Sequence, residues 1–150
     1  MKLRPIVLLL ALIGTSTRVD AYSDSLMPSL DRLRQCSFLG NESSPMVGGR
    51  AVGYSGAPHE FFLQFPKVAE TATTADLRAM LDDPSPVVRI MAAKCIIKKP
   101  VPALSSALDA LLSDNTKVYV APYGCTVTEE SVGDVIKKLK AKPSFLEDIE

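Results

Sequence analysis

The chain has 150 residues, of which 47% are hydrophobic and 23% charged, and its 17 basic and 17 acidic side chains give a formal net charge of zero. A chain of this length forms one domain with a modest core. Its balanced charge excludes the strongly basic surface that nucleic-acid binding requires, so no nucleic-acid partner is expected.

The first 21 residues have the pattern of an export signal. Lys2 and Arg4 precede an apolar run over residues 6–13, and Val19 and Ala21 are the small residues that signal peptidase needs before its cut. The apolar run is far shorter than the roughly 20 residues that cross a membrane, and no cysteine follows the cut to take a lipid. We expect cleavage after Ala21, giving an exported protein, periplasmic or secreted, without membrane insertion.

Residues 22–73 are predicted to form a helix, a glycine-rich loop and an aromatic helix. A helix over residues 28–38 begins at a proline and stops at Gly40. Residues 48–56 contain four glycines, but they lack the Gly-Lys-Ser/Thr ending of a phosphate loop and the final glycine of a nucleophile elbow. This segment therefore predicts a flexible surface loop, and such loops often carry function. The second helix opens after Pro58, and Pro66 breaks or kinks it.

Candidate catalytic and metal-binding residues are few. His59 is the only histidine, so any Ser or Cys triad must use it, with Ser55 and Glu60 nearest in sequence. Adjacent positions on a helix point apart, so Glu60 would not orient the imidazole. A structural zinc site needs four ligands at short paired spacings, which dispersed cysteines and one histidine do not supply. We expect no enzymatic activity, cofactor or metal, and a surface or capping role for His59.

Two helices are predicted over residues 74–81 and 86–97. The first is amphipathic and capped by Thr74. Pro84 cannot continue it, whereas Pro86 suits the first turn of a new helix. The second helix is apolar on every side, with Arg89 and Lys94 as its only charges before Lys98, which is typical of a buried central helix.

A weaker copy of this pattern follows at a period of 31 residues. It predicts a helix over residues 103–112 and then a second Asp-led turn, and self-similarity at such a period indicates stacked repeats. Val120 stands where Arg89 would repeat, and Pro122 with Gly124 interrupts the next helix, so this unit is degenerate. The matching pairs are Leu77 and Leu108, Met80 and Leu111, Leu81 and Leu112, Asp83 and Asp114, and Val87 and Val118.

The last predicted element is a terminal capping helix. Thr126 and Glu129 have the spacing of a capping box, and the helix runs to about Lys142 before Pro143, leaving a tail over residues 143–150. Its apolar stripe comprises Val132, Val135, Ile136 and Leu139.

The segment over residues 83–96 resembles the inter-helix turn and second helix of a HEAT repeat, with Asp83 and Arg89 at signature positions of that family. The resemblance covers residues 74–112 well and the following unit loosely. It implies an all-α fold, a short HEAT-like α-solenoid over residues 74–142 with an irregular N-terminal segment and a C-terminal capping helix. It also implies a structural role for Arg89, as an internal strut that reaches the turn carbonyls or Asp83.

The resemblance further implies an exported non-enzymatic module for protein–protein interaction or scaffolding, with a protein as its partner. Lys94 and Lys98 lie one turn apart on the second helix, so we expect them to meet an acidic partner. Some HEAT-like proteins act on bilin chromophores, and an accessory or lyase-type component is therefore an alternative. A structural envelope protein without a dedicated ligand is another.

Three cysteines in an exported chain allow one disulfide and leave one thiol over. A bridge between Cys95 and Cys125 is favoured because both lie at the same level of their repeats. A bridge between Cys36 and Cys125, which would tie the ends together, stays open. We expect one intramolecular disulfide that uses Cys125.

Overall fold

The computed structural model describes residues 22–147, where six α-helices pack on a four-stranded sheet. The predicted leader over residues 1–21 and the end of the predicted tail lie outside the described residues. In chain order the elements are α1 (Met27–Arg34), β1 (Ser37–Phe38), β2 (Asn41–Val52), α2 (Glu60–Thr71), α3 (Thr74–Leu81), α4 (Pro86–Lys98), α5 (Ser105–Ala110, between the 3-10 turns Pro102–Leu104 and Leu111–Ser113), β3 (Lys117–Gly124), β4 (Thr128–Ser131) and α6 (Val132–Ala141).

The expected all-α solenoid is wrong, because the described chain is a mixed α/β fold. Its strands lie in the order β1-β2-β3-β4. The central pair, β2 and β3, is parallel, and the two outer pairs are antiparallel. Parallel strands need a long crossover connection, and here α2 to α5 supply it. One hydrophobic core extends from Leu26 to Leu146 and joins the helices to the sheet.

Strand β2 contains most of the stretch expected to be a flexible loop. A β-carbon on Gly48 would lie 2.5 Å from Cγ of His59, and one on Gly49 would lie 2.1 Å from the carbonyl oxygen of Pro122. Glycines inside a strand mark such close approaches. The register of β2 on β3 shifts between Gly48 and Ala51, next to these glycines. Only residues 53–56 form a turn.

Strand β3 replaces the second helix of the degenerate unit. Val118 and Val120 are fully buried, whereas Lys117 is exposed and Tyr119 is partly exposed. This alternation has the two-residue period of a strand that is buried on one face. Pro122 lies beside the shift in register, where a residue without a backbone donor is tolerated.

Helix α4 is the buried central helix that the sequence predicts. Ten of its 13 residues are buried, and it packs against α1, α2, α3, α6 and the sheet. Its neighbour α3 begins one residue from the expected cap. Thr73, rather than Thr74, accepts a hydrogen bond from the amide of Asp76 at 3.1 Å, and Asp76 accepts one from the amide of Thr73 at 2.9 Å. The α3–α4 pair is therefore correctly predicted.

The other helices differ from the predictions in length and capping. Helix α1 is shorter than the expected range of 28–38, and the range 103–112 is divided between the short α5 and its two flanking 3-10 turns. Helix α6 is capped by Ser131, whose hydroxyl accepts a hydrogen bond from the amide of Asp134 at 3.1 Å. The expected cap, Thr126, lies before β4 instead.

Candidate functional site

Arg89 braces the turn between α3 and α4, as expected. Its Nη1 donates hydrogen bonds to the carbonyl oxygens of Asp83 at 2.7 Å and Pro84 at 3.0 Å. Its Nε donates to Oδ2 of Asp114 at 2.9 Å, so its ion-pair partner is the second Asp of the repeat pattern. Burial alone would raise the pKa of Asp114, but hydrogen bonds from Thr116 and the charge of Arg89 lower it. The guanidinium thus joins two consecutive units of the chain.

The Asp83 carboxylate is a junction between the α3–α4 turn and the N-terminal segment. Buried, it accepts hydrogen bonds from the amide of Ser85 at 2.8 Å, the hydroxyl of Tyr22 at 2.7 Å and Nη2 of Arg34 at 2.9 Å. Burial and the bond to Asp83 raise the pKa of the Tyr22 hydroxyl above its usual range. Asp83 and Arg89 therefore have structural roles.

Lys94 and Lys98, the two lysines predicted to bind a partner, both form ion pairs within the protein. The Lys94 side chain is only 2% exposed, and its ammonium lies 2.6 Å from Oε1 of Glu147 and 4.7 Å from the ring centroid of Phe65. Burial lowers the pKa of Lys94, and the bond to Glu147 opposes that shift. Lys98, 38% exposed, lies 3.1 Å from the other carboxylate oxygen of Glu147. The expected face for an acidic partner is therefore mostly buried.

The three cysteines are free thiols in the structure, so it does not contain the expected disulfide. Cys36 and Cys95 are buried, whereas Cys125 is exposed. Burial raises the pKa of both buried thiols to about 12. Neither buried thiol is therefore a nucleophile at neutral pH, since the thiolate is the reactive form.

His59 caps α2 and lies beside a cleft. Its Nδ1 accepts a hydrogen bond from the amide of Phe61 at 3.1 Å, and burial lowers its pKa. The cleft, about 380 Å³, also contains Cys36 and Glu60. The Cys36 thiol donates to the carbonyl of Arg32 at 3.4 Å, and burial together with Glu60 keeps it protonated. A Cys–His dyad is therefore not assembled here.

No group of three or more His, Cys, Asp or Glu side chains within residues 22–147 could hold a metal ion. Several of the described acidic side chains are engaged instead in caps and ion pairs, as Asp76 and Asp114 show.

One end of the sheet presents exposed aromatic side chains. We call residues 53–56 and 123–127 the tip. The two segments lie side by side, because Ala51 and Val52 pair with Tyr123 and Gly124, and the amide of Gly53 donates to the carbonyl of Gly124 at 2.7 Å. Tyr54 is fully exposed, Tyr123 is 40% exposed, and Cys125 is exposed between the strands β3 and β4.

The backbone of the tip is held by conformations that favour glycine. Gly53, Gly56 and Gly124 have φ angles of 71°, 63° and 55°, in the left-handed region that other residues rarely adopt. An isolated bridge between Val52 and Ala57 closes the turn around Tyr54. The tyrosine is therefore presented on a defined turn.

The tip carries no charged residue, since residues 51–57 and 121–127 contain none. Arg50, exposed just before it, forms no ion pair with any described residue. Sequence reasoning singled out the glycines and missed the tyrosines. The signal was present in the segments Gly53-Tyr54-Ser55-Gly56 and Tyr123-Gly124-Cys125, where an aromatic residue adjoins a turn glycine.

No family model matches this chain, and no curated protein matches it. Within residues 22–147, every helix is too short or too polar to cross a membrane.

Proposed function

We propose that the protein is a non-enzymatic protein-binding module that contacts its partner through the tip. The observation that carries this proposal is Tyr54, a large side chain left fully exposed at the end of a closed turn. Tyrosine is enriched among the residues that dominate interface energies, and it has only two side-chain torsions to immobilise on binding. The tip thus has the composition of a hot spot.

The size of the tip places it at the centre of a larger contact. An aromatic side chain buries about 150–250 Å², so Tyr54 and Tyr123 supply less than the roughly 800 Å² per partner of a standard interface. The neighbouring small residues Ser55 and Ala57 permit a close approach. We infer that the partner adds contacts around this aromatic centre.

The absence of charge defines the partner's chemistry. A charged group of the partner would find no opposite charge at residues 53–56 and 123–127. Burying such an unpaired charge costs free energy. The partner is therefore a protein that presents an uncharged pocket to Tyr54.

Site-specific photo-cross-linking in the native host tests this proposal. A photoreactive phenylalanine analogue replaces Tyr54 in one variant and the exposed Ser106 of α5 in the matched control. We expect one discrete adduct from position 54 and none from position 106. The identified partner should then bind Tyr54→Ala about 30-fold more weakly than the native protein.

Two results would contradict the tip assignment. Equal cross-linking from both positions would show that position 54 has no preferred neighbour. Unchanged affinity of the Tyr54→Ala variant for the captured protein would show that the aromatic ring is not the anchor.

Export is part of the proposal and rests on the charged, apolar and small-residue pattern of residues 1–21. Intact-mass analysis of protein from its native compartment should give a chain that begins at Tyr22. A retained leader would refute cleavage after Ala21 without affecting the role of the tip.

A further inference from the structure

An apolar cleft of about 210 Å³ opens where α2 ends, α3 begins and α4 ends. None of its residues belongs to the tip, so it is separate from the proposed protein-binding surface. Its apolar walls include Val68, Ala72, Leu77 and Val101, and Lys98 and Lys99 lie at its rim.

The walls of the cleft are chemically inert. Cys95 is only 5% exposed, and burial keeps its thiol protonated by raising its pKa to about 12. Protonated and buried, it behaves as a small apolar side chain. The cleft can therefore hold an apolar group but cannot attack it.

The two lysines of the cleft differ in their partners. The Lys98 ammonium is paired with Glu147 at 3.1 Å. The Lys99 ammonium forms no ion pair or hydrogen bond with any side chain in residues 22–147, and Lys99 is exposed. Lys99 therefore supplies one unmatched positive charge, and a second remains because Lys94 and Lys98 share the single negative charge of Glu147.

The helix ends around the cleft reduce this charge without reversing it. Each helix terminus is equivalent to about half an elementary charge, negative at the C-terminus and positive at the N-terminus. The C-termini of α2 and α4 and the N-terminus of α3 meet here, and the Asp76 carboxylate caps that N-terminus, so these groups together carry about one and a half negative charges. The two unmatched lysine charges exceed this sum, and a ligand carrying one negative charge is favoured.

We propose that this cleft binds a small amphiphilic carboxylate, with its apolar tail between α2 and α4 and its carboxylate on the Lys99 ammonium. The volume agrees with a short tail, because a dry cavity of about 150 Å³ is enough to bind benzene. Drug-sized ligands fill pockets of roughly 300–1,000 Å³, so the ligand is smaller. The expected class is a short- to medium-chain fatty acid.

Titration with octanoate, followed by chemical-shift changes of the purified protein in NMR spectra, tests the proposal. For a ligand of this size we expect a Kd of about 0.1–1 mM, with the largest shifts at Ala72, Leu77 and Val101. 1-Octanol, which has the same chain without the charge, should bind about fivefold more weakly. Octylammonium, of opposite charge, should bind more weakly still.

Three variants locate the ligand. Ala72→Leu and, independently, Ala69→Leu fill the apolar walls, and either one that keeps its folded spectrum should abolish octanoate shifts at the cleft. Lys99→Gln should weaken octanoate about fivefold and leave 1-octanol unchanged. Lys67→Gln removes an exposed α2 lysine that does not line this cleft, and it should change neither ligand.

Each of the opposite outcomes would overturn the proposal. Octanoate shifts absent up to 10-fold above the expected Kd range would show that the cleft takes no such ligand. Shifts that persist in a folded wall-filling variant would place the ligand elsewhere. Tighter binding of octylammonium than of octanoate would show that the helix ends, rather than Lys99, set the charge of the cleft.

Discussion

The turn between α3 and α4 and the tip at the end of the sheet use their side chains in opposite ways. At the turn, the Asp83 carboxylate accepts hydrogen bonds from three residues, and the Arg89 guanidinium binds two carbonyls and a carboxylate. At the tip, Tyr54 is fully exposed. The charged side chains at the turn are therefore structural, whereas the aromatic side chain at the tip is left free for the proposed contact.

The largest effect should come from removing the junction at the turn. Asp83→Ala leaves the Tyr22 hydroxyl, the Arg34 guanidinium and the Ser85 amide without their shared acceptor, and we expect a loss of about 3 kcal/mol in the free energy of unfolding. Urea unfolding measures it. The adjacent Asp82 is a matched control, because it is mostly exposed and pairs only with Arg78 on the surface.

The control compares the buried Asp83 carboxylate with the exposed Asp82 carboxylate. Asp82→Ala should cost less than about 0.5 kcal/mol, as expected of an exposed ion pair. Similar losses in the two variants would show that Asp83 has no special structural role.

Arg89→Ala should rank second. It removes two hydrogen bonds to the turn carbonyls and the partner of the Asp114 carboxylate, and the expected cost is about 1–3 kcal/mol. Lys98→Ala, at the end of the same helix, should change stability by less than about 0.5 kcal/mol because its ion pair is partly exposed. Equal shifts in the melting temperatures of these two variants would mean that Arg89 does not brace the turn.

The pH dependence of stability should show a smaller effect from His59. Burial lowers its pKa in the folded protein below the ordinary value of 6.5. The unfolded chain therefore takes up a proton first as the pH falls, so the stabilisation is complete above pH 6.5 and is lost as the pH falls through the folded pKa. Native protein should lose stability between about pH 7.5 and pH 5.

His59→Asn isolates that contribution, since asparagine also caps helices well. Its unfolding free energy, measured by urea at the same two pH values, should fall by less than that of the native protein. The lowered pKa of Asp76 acts in a separate window, because stability from a carboxylate is lost only below its ordinary value of 3.8. Parallel losses in the two proteins would exclude His59 as the source.

The smallest stability effect belongs to the tip. Tyr54→Ala should change the free energy of unfolding by less than about 0.5 kcal/mol, because the ring contacts little of the folded protein. Thermal unfolding measures this. A loss above 1 kcal/mol would break the comparison by giving Tyr54 a structural role, whereas a weakened partner with unchanged stability would strengthen it.

The helices could be predicted because their patterns are local. The apolar residues of α4 are continuous in sequence, and the prolines before it give its start. Arg89 reaches carbonyls five and six residues away, and its contact with the turn was predictable for the same reason. In each case the determining residues lie within about two turns of one another.

The strands were not predicted, because the contacts that determine them are distant in sequence or because the repeat pattern was preferred to a local signal. In the sequence, Gly48 and Gly49 look like loop glycines. The structure gives another reason for them, because His59 and the backbone of Pro122 leave no room for a β-carbon at these positions. The alternation of Val118 and Val120 is visible in the sequence, but the repeat pattern placed a helix there instead. Repeat-based reasoning thus overrode a local two-residue period.

The candidate site could be predicted only in part. The glycine-rich stretch did contain one segment of the tip, whereas its second segment, residues 123–127, joins it only through the parallel pairing. The sequence indicated that Lys94 was free to bind a partner, because Glu147, with which it forms an ion pair, lies far along the chain. Ion-pair partners at such separations are set by the fold and leave no local pattern.

The parallel pairing of β2 with β3 also has a kinetic consequence. Residues 53–116, with α2 to α5, must be ordered or looped out before the two strands can meet. Closing so long a loop costs entropy before any contact compensates it, and non-local pairing of this kind slows folding. The α3–α4 hairpin can form early from local contacts, whereas the tip, made of both strand ends, forms only when β2 and β3 have paired. During synthesis the tip therefore cannot exist until β3 has emerged.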